Sequence, residues 1–95
     1  MTFEWDEGNN RANVAKHGIG FETARRIFDG PVLSRLDDGD YDGEIREVSV
    51  GSAGADLIAV VVHTDRDGIT RIISARRATR AERKRYHDEI ARRTS

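Results

Sequence analysis

Apolar and polar residues follow a helical spacing in the first third of this 95-residue chain. After a short alternating segment at residues 3–5, Asp6 is a typical N-cap and predicts a helix over residues 7–16, which Gly18 would end in the left-handed conformation. Apolar side chains at positions 21, 24, 27 and 28 predict a second helix, which stops at a turn over residues 29–31. The chain is therefore expected to begin with a brief strand and two short helices.

The middle of the chain has the period and the turns of β-strands. Residues 32–36 predict an edge strand, and residues 45–50, 57–64 and 69–75 predict three strands joined by hairpins. Residues 57–62 are apolar without interruption, which is typical of a central strand covered on both faces. Residues 37–43 are acidic and rich in glycine. Val48 stands where an EF-hand starting at Asp37 needs its glutamate, so we expect a solvated loop there and not that calcium site.

The last segment predicts a third helix. Thr79 and Glu82 have the spacing of a capping box, which starts a helix that continues to about residue 92 and is anchored by Tyr86. A chain of 95 residues cannot build a second hydrophobic core. We therefore expect one α+β domain over residues 1–95, with a mainly antiparallel sheet, two short N-terminal helices and a C-terminal helix.

Composition and charge narrow the function classes. The chain contains no cysteine, which excludes disulfides and thiolate chemistry. Its longest apolar run is far shorter than the roughly 20 residues of a membrane span, and its start lacks the features of a signal peptide, so we expect a cytoplasmic protein with no membrane partner. Residues 1–65 carry 6 Lys/Arg against 13 Asp/Glu, a balance of −7, whereas residues 66–95 carry 10 against 4, a balance of +6. A basic face able to hold phosphates is therefore expected beside an acidic one.

The sequence has no motif of a metal-dependent or cofactor-dependent enzyme. It contains neither a phosphate-binding loop nor a dinucleotide-binding fingerprint. It also lacks the nucleophile elbow of hydrolases and the zinc-protease motif. No local spacing joins His17, His63 and His87 as zinc ligands, so we expect no metal and no other cofactor. RNA cleavage suits such a chain, because the 2′-hydroxyl of the substrate is itself the nucleophile. The protein then has to supply a base, an acid and cations that neutralise the phosphate.

Four arginines on or just past predicted strands are candidates for binding that phosphate: Arg46, Arg71, Arg76 and Arg77. The planar guanidinium group donates to two phosphate oxygens at once. By parity, Arg71 and Arg76 face opposite sides of the sheet unless the strand ends or bulges between them. The alternative for each arginine is an edge-strand charge that discourages aggregation.

Lys16 and His17, at the C-terminal end of the first helix, are candidates for moving a proton. Their alternative is to complement the helix dipole, which favours cations at that end. His63, at the end of the central strand, is either a buried, hydrogen-bonded imidazole or part of the site. His87 lies among charged residues and is expected to be exposed.

The chain resembles the BrnT-type ribonuclease toxins of bacterial type II toxin–antitoxin systems over nearly its whole length. The resemblance is carried by FEWD at residues 3–6, Asn13, KHG-x-x-F at 16–21, FDGP at 28–31, Arg46 and above all RIISARRAT at 71–79, followed by Glu82, Arg83 and Tyr86. The chain departs from the family pattern at Asn9, Gly20 and His63, where the family usually has Lys, Ser and Tyr.

The resemblance implies a RelE-like fold and a metal-independent endoribonuclease that cleaves RNA and inhibits translation. It also implies a BrnA-like antitoxin partner, and binding to operator DNA only through the complex with that antitoxin. By the same analogy, the catalytic residues would be drawn from Lys16, His17, Arg46, Arg71 and Arg76. RNA-binding residues would include Arg77, Arg80 and His63, with no metal ligands.

The sequence is also compatible with two other functions. The chain could be a catalytically weak or inactive toxin homologue that acts as a binding module in an antitoxin-dependent, DNA-binding repressor complex, which the acidity of residues 1–65 favours. It could also be a general nucleic-acid-binding domain, for which binding would be sensitive to salt and independent of any protein partner. RNA cleavage in the presence of EDTA distinguishes the enzyme from both.

Overall fold

The computed structural model describes residues 1–37, 39, 41 and 43–94, and its strands form one five-stranded sheet in the order β1-β5-β4-β3-β2. β1 is parallel to β5, and every other neighbouring pair is antiparallel. This confirms the α+β class and the central position predicted for β4. The elements are β1 (Thr2–Glu4), α1 (Glu7–His17), α2 (Phe21–Ala24), a 3₁₀ helix (Arg25–Asp29), β2 (Val32–Asp37), β3 (Arg46–Ser52), β4 (Ile58–Arg66), β5 (Ile69–Arg77) and α3 (Arg80–Thr94).

Local signals set the helix ends as predicted. The Asp6 carboxylate accepts a hydrogen bond from the Asn9 N–H at 2.9 Å, and Gly18 ends α1 with a φ of 72°. The capping box of α3 is also present, since Thr79 N–H donates to Glu82 Oε1 at 2.8 Å and Glu82 N–H donates to Thr79 Oγ1 at 3.2 Å.

The second predicted helix differs from the expectation, because it is split into α2 and a 3₁₀ helix. Gly20 at its start has no side chain for capping, and the Phe21 N–H instead donates to the Asn10 side-chain oxygen at 2.8 Å. The tighter 3₁₀ turn then takes the chain to Asp29 and into β2. Of the predicted acidic loop at 37–43, residues 38, 40 and 42 lie outside the described residues.

The main core lies between the sheet and the N-terminal helices. Its fully buried members include Phe21 and Ile27 from the helical segment and Val61 and Ile72 from the sheet. On the opposite face, Val60 is also buried, and Tyr86 of α3 is 4% exposed with its hydroxyl donating to the Pro31 carbonyl at 2.7 Å. β4 is therefore covered on both faces, as its unbroken apolar run predicts.

Asn13 fastens α1 to the edge of β5. Its side-chain oxygen accepts from the Ala75 N–H at 3.1 Å, while Nδ2 donates to the carbonyls of Ala75 at 2.7 Å and Ile19 at 2.9 Å. The amide thus takes the place of a neighbouring strand where β1 has ended. Because α1 starts after Glu4, which pairs with Arg71, and reaches Ala75 through Asn13, it runs alongside β5 in the same direction.

A bulge in β5 sets which arginines share a face. Val62 pairs with Ser74 and His63 pairs with Ile72, so Ile73 has no partner on β4. The extra residue reverses the parity of the rest of the strand. Arg71 and Arg76 therefore lie on the same face of the sheet, which resolves the alternatives left by the sequence.

Among the described residues, no helix is long and apolar enough to cross a membrane.

Candidate functional site

The face of the sheet opposite the main core carries a line of polar side chains across all five strands. Asp37 pairs with Arg46, Thr64 pairs with Arg71, and Arg71 pairs with Glu4. Arg46 lies beside Thr64, because the residue after Arg46 in β3 pairs with the residue before Thr64 in β4. We call these five residues the arginine row. Neighbouring strands lie about 4.8 Å apart, so the backbones of Arg46 and Arg71 are roughly 10 Å apart and their long side chains can reach a common ligand.

Arg46 is oriented by an aromatic ring. Its guanidinium carbon lies 3.9 Å from the centre of the Tyr41 ring, and the Tyr41 hydroxyl donates to Asp37 Oδ2 at 2.8 Å. Hydrogen bonds from the Gly39 N–H and the Tyr41 hydroxyl hold the pKa of the Asp37 carboxyl below its ordinary value. The carboxylate therefore stays charged and holds the ring on which Arg46 rests.

The carboxylates near the two arginines bind them only loosely. Arg46 Nε is 3.4 Å from Glu44 Oε1, and an Arg71 guanidinium nitrogen is 3.6 Å from Glu4 Oε1. Charge-assisted hydrogen bonds are usually about 2.7–2.9 Å long. Since Arg71 and Glu4 are also about half exposed, these pairs stabilise the fold little, and an anionic ligand can replace them.

Arg76 lies on the same face as the arginine row but is ion-paired with Glu82 of α3. It is separated from the row by four residues of β4, about 13 Å along the strand. Its two terminal nitrogens donate to the two carboxylate oxygens of Glu82 at 2.7 and 2.9 Å. This hydrogen bonding lowers the pKa of Glu82 from 4.5 to about 2. This geometry does not match the expectation that Arg71 and Arg76 converge on one phosphate. Glu82, the capping-box glutamate of α3, lies only six residues after Arg76 and binds its guanidinium group.

The other cationic candidates lie at the far end of the sheet. Arg77 pairs with Ala59, a residue of the main core, and therefore projects on the core face of the sheet. Since α1 runs toward that end, its last residues Lys16 and His17 lie there too, and Arg80 begins α3 just beyond. Among the interactions of the described residues, none of these four side chains has an ion pair. We call Lys16, His17, Arg77 and Arg80 the helix-end group. It lies at the opposite end of β5 from the arginine row, because Arg77 pairs with Ala59, five residues of β4 or roughly 17 Å from Thr64.

His63 is buried behind the arginine row. It is 2% exposed, its Nε2 lies 2.8 Å from Ser49 Oγ, and its Nδ1 lies 3.1 Å from Asp65 Oδ1. The Phe28 ring meets it edge-on at 5.0 Å. The buried, hydrogen-bonded alternative describes this side chain, and the expected contact with RNA does not fit its burial.

Sequence reasoning missed two arginines that share the face of the arginine row. Arg35 on β2 lies two residues before Asp37, and Arg66 on β4 lies two residues after Thr64, so the strand alternation places both on the side of the arginine row. Arg66 was missed because β4 is longer than the predicted strand. Arg35 was missed because the register that brings β2 beside β3 is not visible in the local sequence.

Comparison with known proteins places the fold in context. A family model described as ribonuclease toxin, BrnT, of type II toxin-antitoxin system matches residues 5–82. The 1.1 Å crystal structure of the Brucella abortus ribonuclease toxin BrnT is similar to this chain with a TM-score of 0.62 and 23% identity, covering 84% of this chain and 99% of that one. At that identity the likeness of the two structures concerns the fold alone. No match is found among curated proteins.

Proposed function

The chain belongs to the BrnT family of ribonuclease toxins of type II toxin–antitoxin systems, and on this basis we propose that it is a metal-independent endoribonuclease whose Arg46 and Arg71 bind the scissile phosphate of RNA. The observation that carries the proposal is the arginine row. It presents two partly exposed guanidinium groups from strands two positions apart on one face of the sheet, with only long contacts to carboxylates.

The reaction that this arrangement supports is attack of the 2′-hydroxyl on the adjacent phosphate, which forms a 2′,3′-cyclic phosphate and breaks the P–O5′ bond. The leaving 5′ oxygen takes its proton from water. Arg46 and Arg71 neutralise the phosphorane oxygens, which carry more charge in the transition state than in the substrate. Glu4, held beside Arg71, is the carboxylate we assign to accept the 2′ proton. A bound phosphate would draw Arg71 away from Glu4 and leave this carboxylate free to act.

The helix-end group has a different role in this proposal. Because the group lies at the opposite end of β5, roughly 17 Å along the strand from the arginine row, it does not contact the same phosphate. We assign them to backbone phosphates farther along the RNA, where they increase affinity without taking part in bond cleavage. Arg76 acts through Glu82, by fixing the start of α3 against the sheet.

The test is cleavage of RNA by purified protein in EDTA. Arg71→Ala and Arg46→Ala should each lower the rate about 10²–10³-fold, as removal of a transition-state donor does. Arg25→Ala is a matched control, since the Arg25 side chain is 45% exposed, that of Arg71 is 42% exposed, and each is ion-paired with one glutamate. If folded Arg71→Ala protein cleaves as fast as Arg25→Ala protein, the arginine row is not the site.

Inhibition of translation, a cytoplasmic location and neutralisation by a BrnA-like antitoxin are further parts of the proposal, supported by family membership. Expression of the chain alone should stop protein synthesis in cells, and co-expression with a BrnA-like antitoxin should restore growth. In this proposal, operator DNA is bound only by the complex of toxin and antitoxin.

A second function is favoured by one observation. Both arginines of the row have a carboxylate neighbour, Glu44 or Glu4, which weakens their attraction for RNA. This arrangement would suit an inactive homologue that serves as a binding module in an antitoxin-dependent repressor complex. Glu4→Gln distinguishes the two: it lowers cleavage if Glu4 is the base of an enzyme, whereas wild-type protein of the second kind has no cleavage to lose.

A further inference from the structure

Three metal-ligating side chains meet on the face of the sheet turned toward the 3₁₀ helix. Glu47 on β3 pairs directly with His63 on β4, and Asp65 lies two residues along β4 on the same face. One donor atom from each residue can be chosen so that all three lie within 4.8 Å of one another. The sequence predicts no metal site, because no local spacing joins these residues; the register between β3 and β4 brings them together.

A hydrogen bond and an aromatic contact hold the imidazole of this cluster with Nδ1 facing Asp65. Ser49 Oγ is hydrogen-bonded to His63 Nε2 at 2.8 Å and to Ser34 Oγ at 2.7 Å. The Phe28 ring packs against the imidazole. Ser49 and His63 are almost fully buried, so rotation of the ring would break their hydrogen bond out of reach of water. Its remaining nitrogen, Nδ1, is directed at Asp65. Metal-binding histidines are typically held in this way, by a hydrogen bond to the nitrogen that does not bind the metal.

The spacing of the donors suits a small divalent ion. Two nitrogen or oxygen ligands at about 2.0–2.1 Å from a tetrahedral Zn²⁺ lie about 3.3 Å apart. His63 Nδ1 and Asp65 Oδ1 are 3.1 Å apart, which is close to that value without any movement. Glu47 is half-buried and has three side-chain torsions, so rotation of its side chain can bring its carboxylate toward the other two ligands. The Asp65 side chain is 45% exposed and leaves a path for the ion to enter.

We propose that Glu47, His63 and Asp65 form a binding site for a divalent transition-metal ion, completed by water, that ties β3 to β4. One imidazole and two carboxylates suit Zn²⁺, Co²⁺ or Mn²⁺ and disfavour metals that need thiolates. Binding displaces any proton on His63 Nδ1 and neutralises two carboxylates that lie close together on neighbouring strands.

The site lies directly behind the arginine row, on the other face of the same strands. Glu47 follows Arg46 in β3, and Thr64 stands between His63 and Asp65 in β4, so the two sets of side chains point in opposite directions. A metal held there contacts neither RNA nor the two arginines. It stabilises the strand pair that carries Arg46, and cleavage itself remains independent of the metal. The proposal therefore does not rest on the ribonuclease function.

The test uses Co²⁺, whose visible absorption bands report its ligands. The full-length protein, stripped with EDTA and dialysed, is titrated with Co²⁺ while absorption and the thermal midpoint are followed. We expect one ion per chain, a raised midpoint and reversal by EDTA. Glu47→Gln and Asp65→Asn should each weaken binding at least tenfold. Asp67→Asn is the matched control, since it removes an exposed carboxylate two residues beyond Asp65 in a turn position where asparagine is accepted.

A second variant tests whether Ser49 positions the ligand. Ser49→Ala keeps all three donors but releases His63 Nε2, so affinity for Co²⁺ should fall about 10–100-fold while the ligand-field spectrum of the saturated protein stays the same. Unfolding of every variant is measured without metal first, so that loss of fold is separated from loss of binding. The proposal is overturned if wild-type protein shows no Co²⁺ band, or if Asp65→Asn binds Co²⁺ as tightly as Asp67→Asn does.

Discussion

Replacing Asn13 by alanine tests how α1 is held to the sheet. The substitution removes three hydrogen bonds of 2.7, 2.9 and 3.1 Å and leaves the Ala75 N–H and the carbonyls of Ala75 and Ile19 without those partners. Ala75 is 1% exposed and Ile19 is 3% exposed, so water cannot easily replace the amide. A buried polar group left unsatisfied costs about 1–3 kcal/mol. With partial relaxation, we expect the free energy of unfolding to fall by about 3 kcal/mol, a large part of the about 5–15 kcal/mol typical of a domain.

The assay is urea unfolding followed by the fluorescence of Trp5, the single tryptophan, whose ring packs edge-on against Phe21 at 6.1 Å. Asn13→Asp separates hydrogen bonding from packing: it keeps the acceptor for the Ala75 N–H but turns an oxygen toward two carbonyls. It should therefore destabilise at least as much as alanine does. Asn9→Ala, at an exposed position of the same helix, is the control and should change stability by less than about 0.5 kcal/mol. A wild-type unfolding curve for either Asn13 variant would refute the reasoning.

Three further predictions concern single contacts. Because Arg76 holds the pKa of Glu82 at about 2 instead of 4.5, the pair stabilises the fold fully above pH 4.5 and progressively less as pH falls toward 2. Glu82→Gln should flatten that part of the stability–pH curve, by only about 1 kcal/mol because both side chains are about a third or more exposed to water. Gly51→Ala should destabilise by about 1–3 kcal/mol in thermal unfolding, since the new Cβ would lie 2.9 Å from Ile27 Cβ. In RNA-binding titrations over a range of salt, Arg71→Ala should reduce the slope of log affinity against log salt by about 1, and an unchanged slope would exclude its contact with phosphate.

The sequence was sufficient for the features that depend on near neighbours. Asp6, Gly18 and the pair Thr79 and Glu82 set the helix ends through atoms within one turn, and the unbroken apolar run of β4 predicts its place in the middle of the sheet. The family was also recognisable, because its strings of residues are local. The split of the second helix was not predicted, since no breaker residue marks the change from α2 to the 3₁₀ helix after Ala24.

Tertiary structure alone decided which side chains meet. Because Ile73 has no partner on β4, Arg71 and Arg76 lie on the same face of the sheet. Arg76 is then close enough to the start of α3 to form an ion pair with Glu82. Strand register brings Arg46 beside Thr64 and Glu47 beside His63, on opposite faces of the same two strands. Register is set by hydrogen bonds and packing between segments far apart in the chain, and a shift of one residue would exchange the two faces. Local pattern therefore fixed the elements, whereas long-range pairing fixed both candidate sites.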